Sequence, residues 1–250
     1  MSQVFEQLVS MSRGLGMPER DFVILGEGNT SARTADGTIW IKASGFSLNQ
    51  IGPDGFVELN LAAVLEMLGR EGSGLDVSQA LLATRVDPAA KARPSVEATM
   101  HAVIYDLTGA NFVGHTHPTA VNSILCSQGY REALTGRLFP DHIVFCGAVP
   151  AFVPYIEFGL PLARAVHDAL QGYLDEHGRP PKTIFLQNHG LIALAQTAAE
   201  VESITAMTVK SARVLLGTAA FGGPRFLTQD DIDRIDTHPS ELYRRKQAGF

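Results

Sequence analysis

Cysteine is nearly absent from this chain: the two thiols among 250 residues, Cys126 and Cys146, lie far apart in apolar stretches. Each reads as a buried, reduced structural thiol rather than half of a disulfide. Positive charge is also in short supply, with 20 Lys and Arg against 26 Asp and Glu and a net charge of −6. Such a chain has no general attraction for phosphate backbones or anionic membranes, so nucleic acid is a poor partner and any bound anion needs a local device. No apolar run approaches the roughly 20 residues that span a bilayer. The opening MSQVFEQLVSMSRGL lacks the basic start, apolar middle and cleavage site of an export signal. A cytoplasmic protein with no membrane partner is expected. Repeats, low-complexity tracts and charge blocks are missing too, and the Pro/Gly-rich stretches at 69–74 and 178–181 have the length of ordinary loops. One domain over residues 1–250, with a C-terminal extension from about 221, is the reading that follows.

What is present is globular material: 45% of residues are hydrophobic and 18% charged, enough for a packed core. The first dozen residues and 60–70, capped by Asn60, read as helices. FVILGEG (22–28), TIWIKAS (38–44) and FVEL (56–59) read as short strands divided by Gly- and Asn-rich turns. Pro94 and Ser95 open a helix through VEATMHAVIYDL (96–107), and ANFVGHTH (110–117) follows as a strand. DHIVFCG (141–147), AFVPY (151–155) and KTIFLQN (182–188) complete the expected strands. A helix over 161–178 ends near Gly178, and Thr197 with Glu200 forms a capping box opening a long helix to about Leu216. Strands in the middle with helices fore and aft predict a layered α/β domain around a mixed sheet.

The chemistry concentrates on histidine. His115 and His117 are two apart on a predicted strand, so both imidazoles leave the same face and can grip one ion. Pro118 stops that strand directly after them, which places the pair at a sheet end. His142, His167, His177 and His238 lack such company and read as ordinary core or surface side chains. The best third ligand is His189, at the end of the apolar run Ile184–Asn188, with Gly190 permitting a tight turn. Three histidines leave a coordination position open, the mark of a catalytic rather than a structural zinc site.

Glu97 falls in the first turn of the helix opened by Pro94, where a carboxylate is most often a helix-start charge. His101, four residues on, shares its face and reads as a structural partner. Gly26-Glu27-Gly28-Asn29-Thr30-Ser31 lacks the third glycine of the dinucleotide fingerprint, which disfavours a nicotinamide site. With Lys42-Ala43-Ser44-Gly45 and Ser95 it can instead present amides, hydroxyls and one positive charge to an anion.

These residues in this order resemble the class II aldolase/adducin family, which includes fuculose-phosphate and rhamnulose-phosphate aldolases, ribulose-phosphate 4-epimerase and related decarboxylases. The resemblance runs from about residue 5 to about 217. It rests on Gly26–Ser31, Ala43-Ser44-Gly45, Pro94-Ser95-Val96-Glu97, His101 with Tyr105, His115-Thr116-His117-Pro118, Pro154–Gly159 and Asn188-His189-Gly190. It implies a three-layer α/β/α domain and a homotetramer with sites between subunits. His115, His117 and His189 would hold zinc, with cobalt or manganese as substitutes, and Glu97 would be the general acid/base that also touches the metal. Gly28, Asn29, Ser44, Gly45 and Ser95 would hold a substrate phosphate, and Tyr155 would donate a proton into a neighbouring subunit's site. The implied reaction is cleavage of a ketose, phosphorylated or free, through an enediolate to an aldehyde and a ketone fragment. Decarboxylation of a 3-keto sugar acid and 4-epimerisation need the same residues, and an adducin-like interaction domain would need none of the chemistry.

One position departs from the sugar-phosphate pattern. The second serine before the glutamate is Val96 here, which removes one hydroxyl from the anion cradle. Losing a hydrogen bond to a charged group costs about 1.5–3 kcal/mol. Lys42 would make up that loss, or the substrate carries a carboxylate or no anion.

Overall fold

The structure, a computed structural model, describes residues 2–69 and 77–240. The last residue of the helix expected over 60–70 and most of the loop expected at 69–74 lie outside the described residues. Seven strands, β1 (Asn29–Arg33), β2 (Thr38–Lys42), β3 (Phe56–Asn60), β4 (Phe112–Thr116), β5 (Ala151–Val153), β6 (Thr183–Leu186) and β7 (Gly190–Ala195), form one sheet. Their order is β3-β2-β1-β4-β7-β6-β5. All neighbours are antiparallel except β5 and β6, so the sheet is mixed as expected.

The helices are α1 (Gln3–Leu15), α2 (Leu61–Glu66), α3 (Val77–Ala83), α4 (Ala98–Thr108), α5 (Thr119–Leu125), α6 (Tyr130–Thr135), α7 (Pro140–Cys146), α8 (Leu160–His177), α9 (Ala198–Thr218) and α10 (Gln229–Thr237). They cover both faces of the sheet. The residues of β7 sort by alternation, with Ile192 and Leu194 packing beside α2, α4 and α8 while Leu191, Ala193 and Ala195 pack beside α1, α5 and α9. The apolar stripe Phe5, Leu8, Met11 and Leu15 of α1 recurs every three to four residues and is buried in that second layer. Thr197 caps α9 by accepting the Glu200 N–H, as the capping box predicts. The stretch beyond 221 is not inert: Ile232 of α10 packs on Ile143 of α7.

Four expectations fail for identifiable reasons. FVILGEG is irregular chain, and the strand begins only at Asn29, inside the stretch read as an anion loop. DHIVFCG lies in α7, where Pro140 at the start and Gly147 at φ 83 close about two turns of largely buried helix. GLIALA forms β7, a strand hidden by reading Gly190 as a turn. Cys126 is exposed, while Cys146 is buried against Thr208 with its thiol pushed up to about 11 by burial. The remaining differences are of length: α4 starts at Ala98 rather than beside Ser95, and β5 stops at Val153, so Tyr155 lies beyond it.

Topology brings one end of β1, β4 and β7 together. Asn29 lies directly opposite His115, and Thr116 opposite Leu191, so the start of β1, the end of β4 and the start of β7 share one sheet end. A bridge from Ala43 to Pro94 ties the end of β2 to the approach of α4 at the same place.

Candidate metal centre

Three imidazoles converge at that end. His115 Nε2 stands 2.9 Å from His117 Nε2 and 3.2 Å from His189 Nε2. Two zinc–nitrogen bonds of about 2.0–2.1 Å at a tetrahedral angle put nitrogens about 3.3 Å apart. All three donor atoms lie within 4.8 Å of one another, close enough to share one small cation.

Hydrogen bonds orient the His115 ring and fix the backbone of the other two histidines. His115 is in β4 with no exposed surface, and its Nδ1–H donates to the Leu191 carbonyl at 3.1 Å, which leaves the Nε2 lone pair for the centre. His117 N–H donates to the Phe22 carbonyl at 2.9 Å. His189 lies in the turn between β6 and β7, where Asn188 takes the left-handed φ of 53 and Asn122 Nδ2 holds the His189 carbonyl at 3.1 Å. Gly190 is needed for space rather than for turning: a Cβ there would stand 2.6 Å from the Thr116 carbonyl oxygen and 2.7 Å from His117 Cδ2. Gly28 is confined in the same way, with φ 66 and a would-be Cβ 2.5 Å from the His115 carbonyl oxygen.

Burial decides the protonation of two of the imidazoles. It lowers His115 to about 4 against the opposing pull of Glu97, and lowers His117 to about 3 with the help of the neighbouring imidazoles. Both rings are neutral near pH 7, the state that ligates a cation.

Glu97 caps α4 and faces the cluster, with Oε1 3.3 Å from His189 Nε2 and Oε2 3.7 Å from His115 Nε2. Burial opposes its ionisation, but the His115 and His189 imidazoles and the Asn29 amide outweigh burial and hold the carboxyl well below the usual carboxylate range. The anion-cradle residues also gather here. Ser95 Oγ accepts from the Glu97 N–H at 3.3 Å and from Asn29 Nδ2 at 3.4 Å, and Ser44 N–H donates to the Arg93 carbonyl at 2.8 Å. Gly45 has φ 87 with open space where a side chain would be. Lys42 is buried, its Nζ donating to the Gly26 carbonyl at 3.1 Å; burial lowers its pKa, and the nearby Glu97 carboxylate resists that.

Tyr155 is the residue not drawn in. It is 68% exposed, and its backbone N–H donates to Gln187 Oε1 at 3.2 Å. The expected strand AFVPY therefore does not reach Tyr155, which lies beyond β5. Among residues that support the site, Asn122, Gln187 and the Leu191 carbonyl were missed by sequence reasoning. Each acts across a fold contact, and none stands in a pattern that spacing could reveal.

A mixed sheet layered by helices, with three histidines and a carboxylate at one end, defines a candidate metal-binding α/β/α protein. The chain belongs to the class II aldolase/adducin family: residues 6–216 match the Class II Aldolase and Adducin N-terminal domain. The family's aldolases are typically dependent on a divalent metal, and the histidine cluster that could hold one is present. A Bacillus thuringiensis serovar kurstaki protein named 5-deoxy-D-ribulose 1-phosphate aldolase is 28% identical over 145 residues, 57% of this chain and 62% of that protein. The Bacillus subtilis (strain 168) protein named uncharacterized oxidoreductase YuxG is 23% identical over 234 residues, 88% of this chain and 31% of that protein. The chain therefore spans less than two thirds of either curated relative. The solved structure of an L-fuculose 1-phosphate aldolase shares the fold with a TM-score of 0.72 at 20% identity, over 98% of this chain and 97% of that one. No helix among the described residues is long and apolar enough to cross a membrane.

Proposed function

We propose that this chain is a metal-dependent aldehyde-lyase that cleaves a ketose, phosphorylated or free, into an aldehyde and a ketone fragment. The observation that carries this reading is the convergence of three Nε2 atoms beside an ionised carboxylate, Glu97, whose Oε1 lies 3.3 Å from His189 Nε2. His115, His117 and His189 would hold the ion, and the all-imidazole donor set accepts zinc, cobalt or manganese. A bound divalent cation supplies a Lewis acid that stabilises negative charge developing on a carbonyl oxygen.

The chain's own groups supply the proton transfers. Glu97 gives and takes the proton at the carbon next to the carbonyl. Tyr155, on the exposed segment of a neighbouring copy in a homotetramer, takes the proton that the substrate's hydroxyl gives up as it becomes the aldehyde carbonyl, passing its own proton to solvent, and returns one in the reverse addition. Exposed apolar side chains on both sides of that join support it, namely Ile24 and Leu25 near Glu27 and Phe158 near Tyr155. Ser44, Gly45 and Ser95 form the anion cradle with Lys42 in place of the hydroxyl absent at Val96, while Gly28 packs on His115 and the Asn29 amide serves Glu97. The oxidoreductase name belongs to a protein of which this chain spans 31%, and the incomplete glycine fingerprint gives no reason to carry a redox role over.

A screen of phosphorylated and free ketoses and of keto acids, with added zinc, cobalt or manganese, tests the proposal if aldehyde and carbon dioxide are followed separately. Metal-dependent aldehyde release is the expected result. Carbon dioxide release alone would replace the lyase with a decarboxylase, and a chain that neither binds metal nor responds to it would be an interaction domain.

A further inference from the structure

We infer that Tyr105, Ser31, His101 and Asn29 form a one-way hydrogen-bond relay that pins one oxygen of the Glu97 carboxylate and leaves the other turned to the histidine cluster for proton transfer. The inference rests on the reading of Glu97 as the acid–base group. It assigns positioning roles to three residues, Tyr105, Ser31 and His101, that do not reach the histidine cluster themselves.

The direction of every hydrogen bond follows from the donor inventory. Glu97 as a carboxylate only accepts, so the group 2.5 Å from its Oε2 is the Asn29 Nδ2 amide, and a flipped amide would set two acceptors against each other. Asn29 Oδ1 then faces His101 Nε2 at 2.6 Å and needs a hydrogen from it. His101 is fully buried and burial lowers it to about 4, so the ring is neutral and carries its one hydrogen on Nε2. Its bare Nδ1 accepts the Ser31 hydroxyl hydrogen at 2.6 Å. Ser31 has no second hydrogen, so the contact of 2.6 Å to Tyr105 is made by the phenol donating to Ser31. Burial pushes the Tyr105 phenol up, which keeps that donor in place. Each hydrogen in the series points towards Glu97.

The register of helix on strand makes the series possible. Glu97, His101 and Tyr105 recur every four residues along the start and body of α4, about 6 Å apart at about 1.5 Å per residue. Asn29 and Ser31, two apart on β1, are spaced about 6.8 Å. The two repeats nearly match, so Asn29 fits between Glu97 and His101, and Ser31 between His101 and Tyr105. The consequence at the site is selective. Oε2 is held by Asn29, while Oε1 is the oxygen that faces His189.

The zinc-loaded protein with ¹⁵N-labelled histidine tests the relay directly by NMR, with the His101 signals assigned by their loss in His101→Gln. The expected result is a neutral His101 with hydrogen on Nε2; hydrogen on Nδ1 would overturn the relay. Kinetics supply the second reading. His101→Phe removes the donor to Asn29 and should lower kcat about 10- to 100-fold, as loss of an outer hydrogen-bond partner does, with KM and zinc content unchanged. His101→Gln restores an amide donor near the Nε2 position and should recover most of kcat. An unaltered kcat in His101→Phe, or no recovery in His101→Gln, would overturn the positioning role. If His101→Phe does not fold, the His101→Gln kinetics and the wild-type tautomer decide. Should the wild type cleave no ketose at all, the lyase reading fails while the tautomer still tests the relay.

Discussion

The two ends of the proposed chemistry are built in opposite ways. The histidine cluster stands on β4 and the β6–β7 turn at the middle of a seven-stranded sheet, with His115 fully buried and its ring oriented by a backbone carbonyl. The segment from Pro154 to Phe158 lies in solvent beyond β5, with Tyr155 68% and Phe158 65% exposed. A single chain thus preorganises the cluster proposed to hold a cation and leaves Tyr155 apart from it. The difference teaches that the cluster is a property of the protomer, while the use proposed for Tyr155 would be a property of an assembly. Gln187 joins the two, since its Oε1 accepts from Tyr155 N–H and its neighbour Asn188 starts the turn that carries His189.

Several substitutions can break or sharpen that contrast. The largest effect on turnover is expected from Glu97→Gln, which keeps shape but removes the base, and should lower kcat about 10⁴-fold, the upper range for a positioned acid or base, with metal retained. Tyr155→Phe should cost about 100-fold, the lower end of the same range. Because the two groups come from different subunits in the proposed site, mixing the two inactive variants under exchange conditions should recover part of the activity. No recovery would put both groups in one chain.

A smaller effect is expected from Gly190→Ala. Its Cβ has no room between Thr116 and His117, so overpacking of about 1–3 kcal/mol should appear in denaturant unfolding. Metal affinity should fall with it, and a variant as stable and as metal-rich as wild type would show that the cluster tolerates displacement. The smallest effect is on pH-dependent stability. Burial holds His115 and His117 in the metal-free protein at about 4 and 3, below the unfolded value of about 6.5. Folding therefore favours the neutral rings, so their contribution is present above about pH 6.5 and is lost as pH falls towards 4. The Tm of the metal-free protein should drop between pH 7 and pH 5, and His117→Ala should flatten that slope; equal slopes would show that these rings are not buried as described.

The cluster was legible in the sequence because its signals are local. His115 and His117 share a strand face, and Pro118 marks where that strand ends. The capping box at Thr197 was equally plain. What was not legible depends on partners distant in sequence. Asn29–Arg33 is polar and small, and it becomes a strand only because β2 and β4 flank it and because α4 and α1 satisfy its side chains. The apolar run of α7 carries no period that separates helix from strand, although Pro140 and Gly147 at its ends favoured helix. Gly190 illustrates the limit most clearly, since a glycine kept for lack of space and a glycine kept for a turn look alike until the neighbours are placed.

The central claim is that His115, His117 and His189 of one chain hold a single divalent cation. Metal content of the purified wild type and of His117→Ala, measured by elemental analysis after dialysis against zinc, tests it most directly. One ion per chain in the wild type and almost none in the variant is the predicted result. Equal metal in the two proteins would contradict it.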